Sequence, residues 1–283
     1  MEYKKYKMID GEYDLRGNGT KISDIPYKNL SKKNKLDLYI PTSTKGKCPV
    51  VVFVHGGGLF KSDKKRHLSN ALHCLERGYA LVSINYRLND EATYLEIQND
   101  MIDAIEWIAE NAEQYNLDGE RIALWGETHG AYLSEVFGVL YEKGLFNREC
   151  KVHVKGIAVY YAPNFPDFYG RIFDLEKEKF NEKNANYKME KLFECGLDEL
   201  PEKLKTYELY DKIDGSEPPF YLLHGSEDTV INPKGTIRFA NKLTEHKVSN
   251  VFYFVKGGKH GIDFYDEKKY TDSILSFFDS VLL

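Results

Sequence analysis

The sequence of 283 residues is short of cysteine, of long apolar runs and of any strong excess of one charge, and each shortage removes a class of protein. Its 4 cysteines, Cys48, Cys74, Cys150 and Cys195, stand far apart, with no CxxC pair and no histidine at ligand spacing. They read as reduced thiols rather than a disulfide framework or a zinc site. The most apolar early stretch, residues 50–54, falls far short of the roughly 20 residues a membrane helix needs. Residues 1–8 carry positive charge but lead into no apolar stretch, so no secretory signal is read and a cytoplasmic setting is the default expectation. With 39 basic against 44 acidic side chains the formal charge is −5. That balance gives no reason to expect nucleic acid or an anionic membrane surface as a partner. Glycine (22) and proline (9) are at ordinary levels, which excludes a collagen-like or disordered chain.

What is present is aromatic: 21 Tyr, 16 Phe and 2 Trp, ample material for a core. Short apolar runs alternate with amphipathic stretches. Strands are expected at residues 36–40, 50–54, 79–84, 121–125, 156–161, 220–223 and 251–255. The run at 50–54 is continuously apolar and β-branched, as a strand buried on both faces should be. Helices are expected from Ile97 to Ala112, where Ile97, Met101, Ile105 and Ile108 recur at three- and four-residue steps, and at 67–77, 131–137, 233–246 and 268–283. Gly78 follows the second of these where a left-handed cap is wanted. Strands alternating with helices predict a single α/β domain with a mostly parallel, doubly wound sheet. One stretch, residues 163–218, shows no strand pattern and interleaves charges with Phe165, Phe168, Tyr169, Phe173, Phe180 and Tyr187. It is expected to be a cap or lid inserted in that domain, with short helices at 187–195 and 201–210.

The chemistry-bearing residues fall at strand ends. The strand at 50–54 runs into His55-Gly56-Gly57-Gly58, where glycines let the backbone approach a ligand and aim its N–H groups at an oxyanion or phosphate. Lys61-Ser62 follows, but Phe60 stands where a P-loop needs glycine, and no G-x-G-x-x-G register fits. After the strand at 121–125 comes Gly126-Glu127-Thr128-His129-Gly130 and then a helical pattern. A G-x-hydroxyl-x-G turn between strand and helix is the geometry of a nucleophile elbow, with the next N–H, that of His129, as an oxyanion donor. An acid and a histidine are then needed in that order. Asp228 follows the strand at 220–223, and His260 follows the strand at 251–255. Strand ends on one edge of a parallel sheet converge on a crevice, so His260 is expected to act as base and Asp228 to orient it, with Glu227 as the alternative orienter.

On these residues, together with residues 35–41, Asn85-Tyr86-Arg87 and residues 118–126, the chain resembles the α/β-hydrolases of the hormone-sensitive-lipase and bacterial carboxylesterase type. It is especially similar to the small esterases grouped with feruloyl and acetyl-xylan esterases. The resemblance runs from about Lys35 to the C-terminus. It implies Gly57, Gly58 and His129 as oxyanion-hole amides, an acyl-enzyme route with no cofactor and no metal, and a small-molecule ester as partner. His55, Phe60, Glu127 and Phe165 are the expected substrate contacts.

The chain departs from that family at the nucleophile, where Ser is replaced by Thr128, and no G-x-S-x-G occurs elsewhere. A β-branched residue at a strained positive φ costs on the order of 1–3 kcal/mol, and its methyl restricts χ1 and crowds the space the acyl carbon must enter. Three readings stand: a working but slower threonine nucleophile, a position altered from Ser so that a ligand is held, or a relative that binds without turnover. Lys259 before His260 and His129 after Thr128 are expected to bias the pocket toward polar or anionic groups. A peptidase or a long-chain lipase is disfavoured, because there is no room for a gating domain and no long apolar lid. The sequence sets no oligomeric state.

Overall fold

The computed structural model of the chain describes residues 3–44, 46–144, 148, 151–163, 190–196 and 198–283. Alternation along the central strands explains the architecture. Val50, Val52 and Val54 join Leu124, Val159 and Leu222 in one buried cluster, while Val51, Phe53, Trp125, Tyr160 and Leu223 belong to a second. Successive residues of a strand point to opposite faces, so both faces of this sheet are dry and each needs a layer of helices.

The strands are β1 (Met8–Ile9), β2 (Glu12–Tyr13), β3 (Gly19–Pro26), β4 (Lys35–Pro41), β5 (Cys48–Val54), β6 (Ala80–Ile84), β7 (Leu117–Glu127), β8 (Ile157–Tyr160), β9 (Phe220–Gly225) and β10 (Asn250–Val255). β1 and β2 form a small antiparallel pair, and the other eight form one sheet in the order β10-β9-β8-β7-β5-β6-β4-β3. The strands from β10 to β6 run parallel, and β4 and β3 add an antiparallel edge. Strand order reverses at β5, whose neighbours are β6 on one side and β7 on the other. A reversal of this kind opens a crevice at the carboxyl ends of the strands.

The helices are α1 (Leu68–Ala71), α2 (Tyr94–Glu110), α3 (His129–Val136), α4 (Leu200–Lys205), α5 (Lys234–Glu245) and α6 (Lys268–Leu282). α2, α3 and α5 supply Ile97, Ala131 and Phe239 to the first cluster. α1 and α6 supply Leu68 and Phe278 to the second. α2 begins with a capping box in which Thr93 and Glu96 satisfy each other's backbone N–H. Trp125 lies fully buried between Phe53 and Tyr160, at ring distances of 6.0 and 5.6 Å, and truncating such a residue costs about 3–5 kcal/mol.

The seven expected strands and the helices at 97–112, 233–246 and 268–283 are present within a few residues. The expected helix at 67–77 is a single α turn continued by a 3-10 segment, Leu72–Arg77, which Gly78 ends at a φ of 81°. α3 begins at His129, capped by Thr128, rather than at Ala131, and passes into a π-helical turn at Phe137–Tyr141. β1, β2 and β3 were not expected: β3 is interrupted by a register shift between Ile22 and Ile25, which breaks its alternation.

Residues 164–189, with Phe165 and the other aromatics of the expected cap, lie outside the described residues, as does Cys150. Of the expected helix at 187–195, residues 190–193 are helical. The expected helix at 201–210 is α4 followed by a separate turn, Tyr210–Lys212. The described residues of these two helices are not loose surface. Leu192, Phe193, Leu200, Leu204 and Leu209 are buried in the first cluster, and Phe193 and Tyr207 pack on Tyr94 of α2. Cys48 and Cys74 are buried and Cys195 half-buried, all as free thiols. Among the described residues no helix is long and apolar enough to cross a membrane, and no cluster of metal-ligating side chains occurs.

Candidate active site

Thr128 sits between β7 and α3 at φ 46° and ψ −116°, a backbone state sparsely populated for a residue with a Cβ. Its neighbours make the turn feasible. A methyl on Gly126 would collide with the Gly130 carbonyl oxygen, and one on Gly130 would collide with the Val54 carbonyl oxygen. Strand, helix and β5 therefore close on one another only because both positions are glycine. The Thr128 N–H donates to the Tyr160 carbonyl at 2.9 Å, which ties the elbow to β8.

The threonine methyl has a defined seat. A Cβ on Gly56 would overlap Thr128 Cγ2, so the methyl rests directly over the Gly56 backbone at the root of the glycine loop. Gly57 and Gly58 follow, half-buried, at φ 107° and 65°. Phe60 beyond them is 38% exposed.

The acid and the histidine meet. His260 Nδ1 donates to Asp228 Oδ2 at 2.8 Å, which leaves Nε2 as the nitrogen available to a reacting hydroxyl. Among the described residues no hydrogen bond joins the Thr128 hydroxyl to His260. Of the two acids in this loop it is Asp228 that bonds the His260 ring, and Glu227 is exposed. Burial works to raise the Asp228 pKa, but hydrogen bonds from His224, His260 and the Ile231 N–H outweigh it and hold the carboxyl well below the usual range. Oδ1 accepts from the Val230 and Ile231 N–H groups, each at 2.8 Å.

Three expected contacts are placed differently. Glu127 is only 2% exposed, and its carboxylate accepts from the Tyr161 hydroxyl at 2.9 Å and lies 2.6 Å from His67 Nδ1. It is thus a buried brace rather than an open substrate contact, because strand alternation turns it to the same face as Trp125. The His55 ring is buried and stacked on Tyr86, with centroids 4.4 Å apart, and its carbonyl accepts from the Tyr86 hydroxyl at 2.6 Å. The His129 ring is fully buried beside Tyr94 and Tyr132, and burial pushes its pKa down to about 3. Its imidazole accordingly adds no charge to the pocket, which corrects the expected polar bias from that side chain. Lys259 is exposed.

Sequence reasoning missed His67 and Tyr161. Tyr161, at φ 41°, lays its ring 4.6 Å from that of His260 while its hydroxyl holds Glu127. It follows β8 at the same sheet edge as the other site residues, which was the available signal. His67 follows the glycine loop at φ 61°, and its hydrogen bond to Glu127 raises its pKa.

Comparison with known proteins gives the family and the fold. The BD-FAE family model matches residues 36–243, well over half of the chain. A probable isoprenylcysteine alpha-carbonyl methylesterase of Arabidopsis thaliana is 26% identical over 237 residues, covering 81% of this chain and 54% of that protein. Esterase LipQ of Mycobacterium tuberculosis is 24% identical over 245 residues, covering 84% and 56%. The chain thus spans about half the length of the curated relatives it matches. Among solved structures, a truncated carbohydrate esterase from gut microbiota superposes with a TM-score of 0.77 at 20% identity, covering 93% of this chain and 96% of that one. A strained elbow and a histidine–aspartate pair at the carboxyl edge of a mostly parallel sheet thus stand on an α/β-hydrolase fold, and the chain belongs to the BD-FAE family.

Proposed function

We propose that the protein hydrolyses carboxylic esters, short-chain or aryl, acylated sugars among them, with Thr128 as nucleophile. His260 Nε2 takes the Thr128 proton as Oγ1 attacks the ester carbonyl, and Asp228 holds the imidazole in the tautomer that leaves Nε2 free. The oxyanion faces the N–H of His129, which opens α3, and those of Gly57 and Gly58. His260 then passes its proton to the leaving alcohol, and water cleaves the acyl-threonine with His260 again as base. No cofactor enters. The reading is carried by the 2.8 Å bond between His260 and Asp228 at the same sheet edge as the elbow, and esterase relatives support it. The segment at 163–218 is proposed as a cap, with Phe165 and the exposed Phe60 as substrate contacts.

One observation favours a second reading, binding of ester-like ligands without turnover. The Thr128 methyl is seated on Gly56, which fixes χ1, and a displacement near 1 Å costs on the order of a hundredfold in rate. Hydrolysis of p-nitrophenyl acetate and butyrate by the native chain, Thr128→Ser and Thr128→Ala separates the two. An active native chain with an inert Thr128→Ala makes threonine the nucleophile. Three equally inert, folded proteins would leave the binding reading.

A further inference from the structure

Behind the acid of the proposed site stands a second histidine. His224, in β9, is fully buried, and its Nε2 faces two acceptors, the Ile231 carbonyl at 3.2 Å and Asp228 Oδ2 at 3.3 Å. Neither oxygen carries a proton, so the ring proton resides on Nε2. In the neutral ring Nδ1 is then an acceptor, and the Thr236 hydroxyl, 2.7 Å away in α5, donates to it. Thr236 is itself buried, so the tautomer is set from inside the protein. Oδ2 is the same oxygen that receives His260 Nδ1. Besides His260, two backbone N–H groups therefore donate to Oδ1, while the His224 Nε2–H donates to the Ile231 carbonyl and stands 3.3 Å from Oδ2.

We propose that His224 is a positioning residue for the site, its Nε2–H, fixed by Thr236, anchoring the Asp228 loop at the Ile231 carbonyl and facing Oδ2 of Asp228 at 3.3 Å from the side opposite His260. A carboxylate held only through Oδ1 can rotate about its terminal bond, and a polar ring edge packed against Oδ2 limits that freedom. The donor also favours the charged form of a group that burial disfavours. The charged or titratable groups facing Asp228 are His224 from β9, His260 from the loop after β10 and Tyr265 from the turn beyond it. Exposed Glu227 and Lys259 flank Asp228 and His260 in sequence. Of these, only His224 touches Oδ2 from the protein interior. The role matters for catalysis only if the site works as proposed above, but the contact itself is testable without turnover.

The test is the titration of the Asp228 carboxyl carbon by NMR, assigned by its absence in Asp228→Asn. In the native protein the carboxylate is expected to stay ionised well below the usual range. His224→Phe is expected to move its titration up by about one unit, with His224→Gln, which returns an amide donor near the Nε2 position, restoring most of the native behaviour. Thr236→Val, which removes only the group fixing the tautomer, is expected to fall between and serves if His224→Phe does not fold. A folded His224→Phe, or failing that Thr236→Val, with native Asp228 titration would overturn the proposal. Ester hydrolysis measured alongside tells the two readings apart: an inert enzyme with a shifted Asp228 sinks the esterase reading and leaves this one standing.

Discussion

Two histidine–carboxylate pairs occupy the carboxyl edge of the sheet, and their bond lengths are nearly the same, 2.8 Å for His260–Asp228 and 2.6 Å for His67–Glu127. Their wiring differs. Asp228 accepts from two backbone N–H groups and from His260, with His224 packed against Oδ2, and its carboxyl is held low. Glu127 is shared with Tyr161 and sits between the glycine loop and β8, and it holds the His67 pKa high. The first wiring leaves the His260 Nε2 free, as the proposed proton transfer needs. The second ties together the loop at residue 67, the elbow and β8. Hydrogen-bond length does not separate the two pairs; what else each carboxylate holds does.

Substitutions in the two pairs should therefore diverge most in rate. In a Thr128→Ser background, His260→Ala is expected to lower kcat for p-nitrophenyl acetate on the order of a thousandfold or more, while His67→Ala stays within about tenfold. Comparable losses in both would erase the distinction. The nucleophile comes next. Thr128→Ser is expected to raise kcat/KM roughly ten- to a hundredfold over the native chain, since it removes the methyl seated on Gly56.

That seat predicts a coupling. Gly56→Ala collides with Thr128 Cγ2 and is expected to cost about 1–3 kcal/mol in urea unfolding, with a smaller cost when Thr128 is already Ser. Additive effects of the two substitutions would place the methyl elsewhere.

The smallest effect is in stability against pH, and the pairs differ in sign. The His67 pKa is raised in the fold, so its contribution is fully present below the ordinary value of about 6.5 and fades as pH climbs through the raised one. The Asp228 pKa is lowered, so its contribution is present above about 3.8 and fades as pH falls toward the depressed one. Against His67→Ala, the native chain should lose its stability advantage on the alkaline side, and against Asp228→Asn on the acid side. Unfolding midpoints across pH 3–9, compared with about 6.5 and 3.8 as reference values, check both.

Sequence reading paired Asp228 with His260, which the structure brings together, and missed the pair of His67 and Glu127. Asp228 and His260 lie in loops after recognisable strands, in the order the elbow demands, so position and residue type agree. Glu127 was read toward substrate although alternation from Ala123 and Trp125 already assigned it to the buried face. His67 and Tyr161 carry no motif. Each depends on a positive φ that only the fold reveals, at 61° and 41°. The central strands were legible because both faces are apolar, whereas β3 hid behind its register shift. Phe165 was chosen from composition within 163–218, where local pattern fixes no partner.

The most direct measurement is labelling with a fluorophosphonate followed by peptide mapping of the native chain, Thr128→Ser and His260→Ala. An adduct on Thr128 in the native chain, formed faster at the same position in Thr128→Ser and absent in His260→Ala, is the result that a threonine nucleophile activated by His260 predicts. A folded native chain and a folded Thr128→Ser that both remain unmodified would contradict it.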